Sequence, residues 1–327
     1  VIGWYVHHHG RGHLTRALAI SRHLRENVVF FSSSPRPAAI RPGDGWVQLP
    51  SDVPPTDQAP VDATANGRLH WAPVGVGGLA ERSAMLLDAI VELCPRRMVV
   101  DVSVEVTMLV RLAGVPVTVM AMPGDRTDEA HRLAYDVADQ IVAPWSADVY
   151  RPAWLRRYDE RTHYVGSVSR FDGMPRYPAP ESEAPTGLLL AGAGGSGAPC
   201  DAPAELAAAT PGLRWVAAGG GADWVDDLWP LLTAAEVVVT HAGQNAIADV
   251  ALAQACAVVI PEQRPFGEQH ATAAALSEAG IAVSVPRWPS SDRWAALVEG
   301  ARRQDRQQWK RLRVDGAAAR AAAAIAE

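Results

Sequence analysis

Residues 237–260 read VVVTHAGQNAIADVALAQACAVVI. Val237–Thr240 and Val258–Ile260 are short runs of apolar and β-branched residues, the pattern of buried strands. Between them, a glycine turn leads into apolar positions at helical spacing over Asn245–Gln254. Strand, turn, helix and strand within 24 residues make one βαβ unit.

The alternation continues on both sides. Gly187–Ala191 reads as a strand, followed by the loop GAGGSG (192–197) and a helix near Ala202–Ala209. Further strands fall at Arg214–Ala217 and Ile281–Val285, with helices around Asp227–Ala234 and Gln269–Glu278. From Ser291 onward the chain reads as helical and rich in Ala and Arg. Upstream, Ser169–Thr186 carries four prolines and no apolar period, which marks an interdomain linker.

An earlier set of elements precedes that linker. Ile2–Val6 is a strand, and Leu14, Ala17, Leu18, Ile20 and Leu24 give one helical face. Strands follow at Val28–Phe31, Arg97–Val102, Val115–Met120 and Gln140–Ala143, with a helix at Val104–Ala113. Residues 34–80, rich in Pro, Gly and Asp, read as long ligand-facing loops with short elements. The expected fold class is α/β, with two doubly wound, Rossmann-like domains facing a cleft. Their expected ranges are 1–168 and 187–327, joined by 169–186, with the last helix packing back on the first domain.

Composition narrows the function. The 327 residues are 48% hydrophobic and 20% charged, with a net charge of −6, which argues against nucleic acid as the partner. Cys94, Cys200 and Cys256 are widely spaced and form no CxxC, as expected of reduced thiols in a cytoplasmic enzyme. No apolar run approaches the ~18–20 residues of a membrane span. The first strand leaves no room for a secretory signal, so the expected location is cytoplasmic. The basic runs at 151–161 and 302–313 read as solvated helix faces; their rival reading is contact with the acidic inner face of a membrane.

The loop at Gly192–Gly197 follows a buried strand and precedes a helix, where backbone N–H groups approach a phosphate and the helix dipole favours an anion. It contains no GxxxxGK[ST], so it is not a Walker loop. Gly243-Gln244-Asn245 has the same strand-to-helix setting. The bland alternative is tight turns and helix caps.

Residues 224–273 resemble the nucleotide-sugar half of GT-B glycosyltransferases, family 28 in particular. His241-Ala242-Gly243-Gln244-Asn245-Ala246-Ile247-Ala248-Asp249 is similar to the plant-type signature HCGWNSxxE, and Phe266-Gly267-Glu268-Gln269 to the F-x-D/E-Q that follows it. The resemblance implies a nucleoside diphosphate sugar, a UDP-sugar above all. Gly194, Gly195 and Ser196, with His241, Gly243, Gln244 and Asn245, would hold its diphosphate. Asp249 would take the ribose hydroxyls in place of the usual glutamate, and Glu268 and Gln269 the sugar. Trp224 and Val225 would lie beside the base, although Trp224 has an equally good packing role. Ala246 stands where the signature has a hydroxyl, so one phosphate contact is missing.

The stretch HHHGRGH (7–13) closes the first strand. Gly10-x-Gly12-His13 resembles the family's G-x-G-H, with Arg11 at a position where a small residue is common. That makes His13 the expected general base, since an imidazole titrates near ~6.5. Gly12 and Arg16 are expected on the acceptor side. Asp101 resembles the aspartate that pairs with the base and would fix its tautomer, as in hydrolase triads; its rival role is to cap the helix after Ser103. His7 and His9 point to one face but lack a third zinc ligand, so no metal is expected.

The function implied is inverting, metal-independent hexosyl transfer to a small-molecule or lipid-linked glycan acceptor, with no resident cofactor. A nucleotide-sugar hydrolase with a similar G-x-G-H-x-x-R loop is the alternative. A non-catalytic nucleotide-sugar binder is another. A UDP-sugar 2-epimerase would carry an acidic DSGG-type loop where this chain has His-Ala-Gly-Gln.

Overall fold

The computed structural model describes residues 1–8, 10–54, 59–175, 185–192, 197–219, 225 and 227–327. They form two compact units. One holds Val1–Pro144, Pro152–Tyr164 and Ala318–Glu327; the other holds Trp145–Arg151 and Val165–Ala317.

In the first unit the chain runs β1 (Ile2–Val6), α1 (Gly12–Ser21), β2 (Val28–Ser32), β3 (Gly45–Gln48), α2 (Gly77–Leu93) and β4 (Arg97–Asp101). It continues through α3 (Val104–Leu112), β5 (Val117–Met120), α4 (Glu129–Val137), β6 (Gln140–Ala143) and β7 (Thr162–Tyr164). The seven strands are parallel in the order β3-β2-β1-β4-β5-β6-β7. All five residues of β1 are buried, as expected of a central strand covered on both faces. Its register pairs Val6 with Asp101, so the histidine loop and that carboxylate leave the sheet side by side.

α2 has no counterpart among the expected elements. Its buried face is Arg82, Leu86 and Ile90, and the cation breaks the apolar period that would have revealed it. Arg82 is held by an ion pair with Asp52 and by donating to the Tyr5 hydroxyl (2.7 Å). Gly78 is required where α2 begins, because a Cβ there would sit 2.0 Å from the Ser51 carbonyl oxygen.

The second unit runs β8 (Thr186–Leu190), α5 (Ala202–Ala209), β9 (Arg214–Ala218), α6 (Trp229–Ala234), β10 (Val237–Thr240) and α7 (Gln244–Ala253). β11 (Ala257–Val259), α8 (Glu268–Glu278), β12 (Val283–Ser284) and α9 (Trp294–Arg302) follow. Its parallel sheet has the order β12-β11-β10-β8-β9. Thr240 pairs with Leu190 on one side and Val259 on the other, which aligns the carboxyl ends of β8, β10 and β11.

Alternate residues feed two core layers. Leu188, Leu190, Val238 and Val259 pack with Trp229, Ile247 and Val250 on one face. Leu189, Val237, Val239 and Val258 pack with Leu206 and Trp294 on the other. Truncating either fully buried tryptophan to alanine is expected to cost roughly 3–5 kcal/mol.

The early part of the proline-rich segment is packed. Phe171 is buried and stacks on Trp229, whose Nε1 donates to the Pro175 carbonyl (2.8 Å). In the two basic runs the tryptophans turn inward: Trp309 is buried and donates to the Ala255 carbonyl, and Trp154 to that of Gly124. The last helix, α10 (Ala317–Ala326), belongs from Ala318 onward to the first unit. There the Ala324 carbonyl accepts from Gln140 Nε2. Among the described residues no helix is long and apolar enough to cross a membrane.

Candidate active site

At the carboxyl edge of the first unit's sheet, the turn after β1 delivers His13 into the first turn of α1, with Gly12 as that helix's first residue. Asp101 ends β4. His13 Nδ1 lies 3.0 Å from Asp101 Oδ1, and Arg16 Nη2 donates to the same oxygen at 2.7 Å. His13 and Arg16 are three apart and so share a helix face. Burial by itself would raise the Asp101 carboxyl. The Arg16 guanidinium and the His13 ring more than reverse this and hold it below the usual carboxylate range.

With Asp101 ionised at 3.0 Å, the ring's Nδ1 is set as the donor to it and not as acceptor of the longer 3.4 Å approach of Arg16 Nη2, which leaves Nε2 as the basic nitrogen. Asp101 does not cap α3. Ser103 does, its hydroxyl accepting from the Val106 amide at 3.1 Å. Between the two stands Val102 at φ +63°, a strained conformation for a β-branched residue of the kind found beside functional groups.

The rest of the histidine loop crowds the same edge. His7 and His8 stack with ring centroids 4.9 Å apart, and the His7 and His13 centroids are 5.9 Å apart. His9 lies outside the described residues, so the face shared by His7 and His9 is not described. His8 Nε2 is 3.8 Å from Asp52 Oδ1. Burial, the foremost cause, pushes the neighbouring Tyr5 hydroxyl up to about 12. Asp52 and Arg82 were not legible as site residues, because Asp52 lies in the stretch without apolar period and Arg82 breaks the period of its own helix.

In the second unit, His241 follows β10, and its Nδ1 accepts from the Gly243 amide at 3.0 Å. That leaves Nε2 to carry the ring proton. Burial above all keeps this imidazole below its ordinary pKa; Arg264 acts in the same sense, and Glu262 opposes it. A Cβ on Gly192 would come 3.0 Å from His241 Nε2, so a glycine there lets the chain after β8 lie on the ring. Gly243 is the N-cap of α7, and Gln244 and Asn245 open its first turn, half-buried.

Gln269, near the start of α8, is buried. Its Oε1 accepts the amides of Ala242 (3.1 Å) and Glu262 (2.9 Å), tying the loops after β10 and β11 together. Glu268 is the first residue of α8, entered through two left-handed residues, Phe266 (φ 60°) and Gly267 (φ 64°).

Asp249 is engaged elsewhere. Its Oδ1 accepts from Ser169 Oγ at 2.6 Å, and Arg170 Nε is 3.5 Å from Oδ2. Burial, only partly offset by Ser169 and Arg170, pushes its carboxyl up to about 6. Val225 is half-buried beside the core. Gly194, Gly195, Ser196 and Trp224 lie outside the described residues. The structure thus gathers His241, Gly243 and Gln269 at one edge, together with Glu262 and Arg264, which no motif pointed to.

His70, Asp128 and His131 also cluster, with one ligand-type atom from each within 4.8 Å of the others. His70 Nε2 lies 2.9 Å from Asp128 Oδ1, and His131 Nδ1 lies 2.5 Å from Oδ2. Arg126 Nη1 approaches His131 Nε2 at 3.2 Å, and a guanidinium can only donate. Nε2 is therefore the acceptor and Nδ1 keeps its proton for Asp128, so the nitrogen facing the carboxylate has no lone pair for a metal. Burial foremost, with Arg126, lowers His131 to about 4, so it is neutral near pH 7.

Residues 220–291 match the family described as glycosyltransferase family 28 C-terminal domain. No curated protein matches the chain by sequence. Among solved structures, the glycotransferase of kitacinnamycin superposes with a TM-score of 0.72 at 18% identity, covering 99% of this chain and 98% of that one. MurG of Acinetobacter baumannii gives 0.60 at 15% identity, over 99% and 98%. UGT89C1 of Arabidopsis thaliana, complexed with UDP-L-rhamnose, gives 0.64 at 14% identity, over 95% and 92%. The class of protein follows: a glycosyltransferase of the GT-B fold. Within that class the chain carries a family 28 segment in its C-terminal half.

Proposed function

We propose that this protein is an inverting hexosyltransferase that moves a sugar from a nucleoside diphosphate sugar, a UDP-sugar, to an acceptor hydroxyl. The observation that carries this reading is the His13–Asp101–Arg16 cluster, with 3.0 and 2.7 Å contacts converging on one buried carboxylate oxygen. Such a cluster suits a general base, because the imidazolium formed by proton uptake sits against a fixed negative charge.

In the proposed reaction His13 Nε2 takes the acceptor's hydroxyl proton. The oxygen attacks the anomeric carbon as the bond to the β-phosphate oxygen breaks, so the configuration inverts and UDP leaves. The helix N-terminus at Gly243–Asn245 would carry the charge of the departing diphosphate through backbone amides, without a metal or other cofactor. The glycine loop of residues 192–197 would contribute in the same way. Binding of ribose by Asp249 would require Ser169 to yield its hydrogen bond. The acceptor, a small molecule or a lipid-linked glycan, would be held by the first unit in the cytoplasm.

The decisive experiment measures melting in EDTA with and without UDP, then follows release of UDP from a UDP-sugar panel with and without hydroxyl acceptors. A rise in Tm with UDP, and acceptor-dependent turnover lost in His13→Ala, are the expected results. No shift with UDP or dTDP would overturn the donor reading. Equal release without an acceptor would make the protein a hydrolase.

A further inference from the structure

One charged group at the carboxyl edge of the second sheet has no part in the motif resemblance. Glu262 lies just beyond β11, and its Oε1 accepts from the Gly197 amide (3.2 Å) in the segment that follows β8. In the sheet β10 stands between β8 and β11, so this carboxylate reaches across the loop that carries His241. Its Oε2 accepts from Arg264 Nη2 at 2.8 Å, and Gln269 Nε2 is 3.5 Å away. The side chain retains 11% exposure beyond the carboxyl end of β11, the end at which ligands of such sheets bind.

Gln269 is less free than its place in the sequence implies. Its Oε1 already accepts two backbone amides, and an amide oxygen has two lone pairs. A sugar hydroxyl can therefore meet only its Nε2, a donor. A carboxylate offers about four acceptor sites, so Glu262 keeps capacity for a sugar hydroxyl beyond its protein partners. Arg264, engaged by that carboxylate, is not left over as a counter-charge for a second anion.

We propose that Glu262 determines which donor sugar is accepted: its carboxylate accepts a hydrogen bond from a hydroxyl of the sugar, and its charge excludes sugars that carry a carboxylate. The donors are then nucleoside diphosphates of neutral or amino sugars, and uronic acid donors are refused. This inference rests on the donor reading of the same site.

Calorimetric titration of the full chain with UDP, UDP-glucose and UDP-glucuronate tests it. UDP-glucuronate should bind at least tenfold more weakly than UDP-glucose. Glu262→Gln should bring the two within about threefold, and Glu262→Asp, which keeps the charge, should preserve most of the gap. Equal binding of the two donors by the wild type, or an unchanged ratio in Glu262→Gln, would overturn the proposal while leaving the donor reading intact. Should Glu262→Gln not fold, the wild-type ratio and Glu262→Asp decide. Absence of UDP binding would instead defeat the donor reading, and the sugar preference with it.

Discussion

At the residue scale, two of the buried aspartates, Asp101 and Asp249, face opposite electrostatic settings. Asp101 meets a guanidinium and an imidazole on one oxygen and is held below the usual carboxylate range, so it is charged near neutral pH. Asp101→Asn keeps the shape and removes the charge that would stabilise the imidazolium in the proposed reaction. Steady-state kinetics should show kcat lower by about 10²–10⁴-fold, with UDP affinity within a few-fold. An unchanged kcat would remove the pair from the chemistry.

Asp249 meets mainly burial and is raised to about 6. A raised carboxyl binds its proton more tightly in the folded than in the unfolded chain. Stability therefore falls as pH rises from about 4 through 6, by at most roughly 3 kcal/mol for a shift of about two units. Asp249→Asn should flatten that fall, and urea unfolding at pH 4.5 and 8 reads the difference. Equal slopes in the two proteins would contradict the placement.

At the scale of elements, α2 is anchored to the sheet through charge as well as apolar packing. Arg82 is almost wholly buried, between Asp52 and the Tyr5 hydroxyl on β1. Arg82→Ala would leave the buried Asp52 with only the His8 ring, 3.8 Å away, and should cost about 3–5 kcal/mol in urea unfolding. A loss under 1 kcal/mol would mean that water already solvates the carboxylate. Gly78→Ala tests the same junction sterically, since the new methyl would collide with the Ser51 carbonyl. It should lower Tm while leaving UDP binding intact.

At the scale of the molecule, chain order and spatial grouping part company at the C-terminus. Ala318–Glu327 belongs to the first unit, where Ala318, Ala321, Ala322 and Ile325 are buried. Ending the chain at Ala317 should lower the stability of that unit by several degrees in Tm and leave the proposed UDP binding by the second unit within a few-fold. Calorimetry with and without UDP reads both effects. An unchanged thermogram would show that α10 contributes nothing to the first core. The glycosyltransferase neighbours align over nearly the whole chain at 14–18% identity, so the same fold is reached with few residues in common. Packing tolerates such change where volume and pattern are kept.

Periodicity alone marked the central strands of the two parallel sheets, because strands buried on both faces read as unbroken apolar runs, and β1, β4, β8 and β10 fall where those runs lie; the edge strands β3 and β7 it did not mark. The placement of His13, Asp101, His241, Gly243 and Gln269 at strand and helix ends was legible too, since such positions are local in the chain. Only the tertiary structure decided that α2 exists, that Asp249 is turned to Ser169, that Gln269 spends its oxygen on two amides and that Glu262 spans the loop of its neighbour. The reason is physical. Each of these depends on a partner dozens of residues away or on a buried polar group that interrupts the apolar period, and hydrogen-bond partners across a sheet edge leave no spacing in the chain.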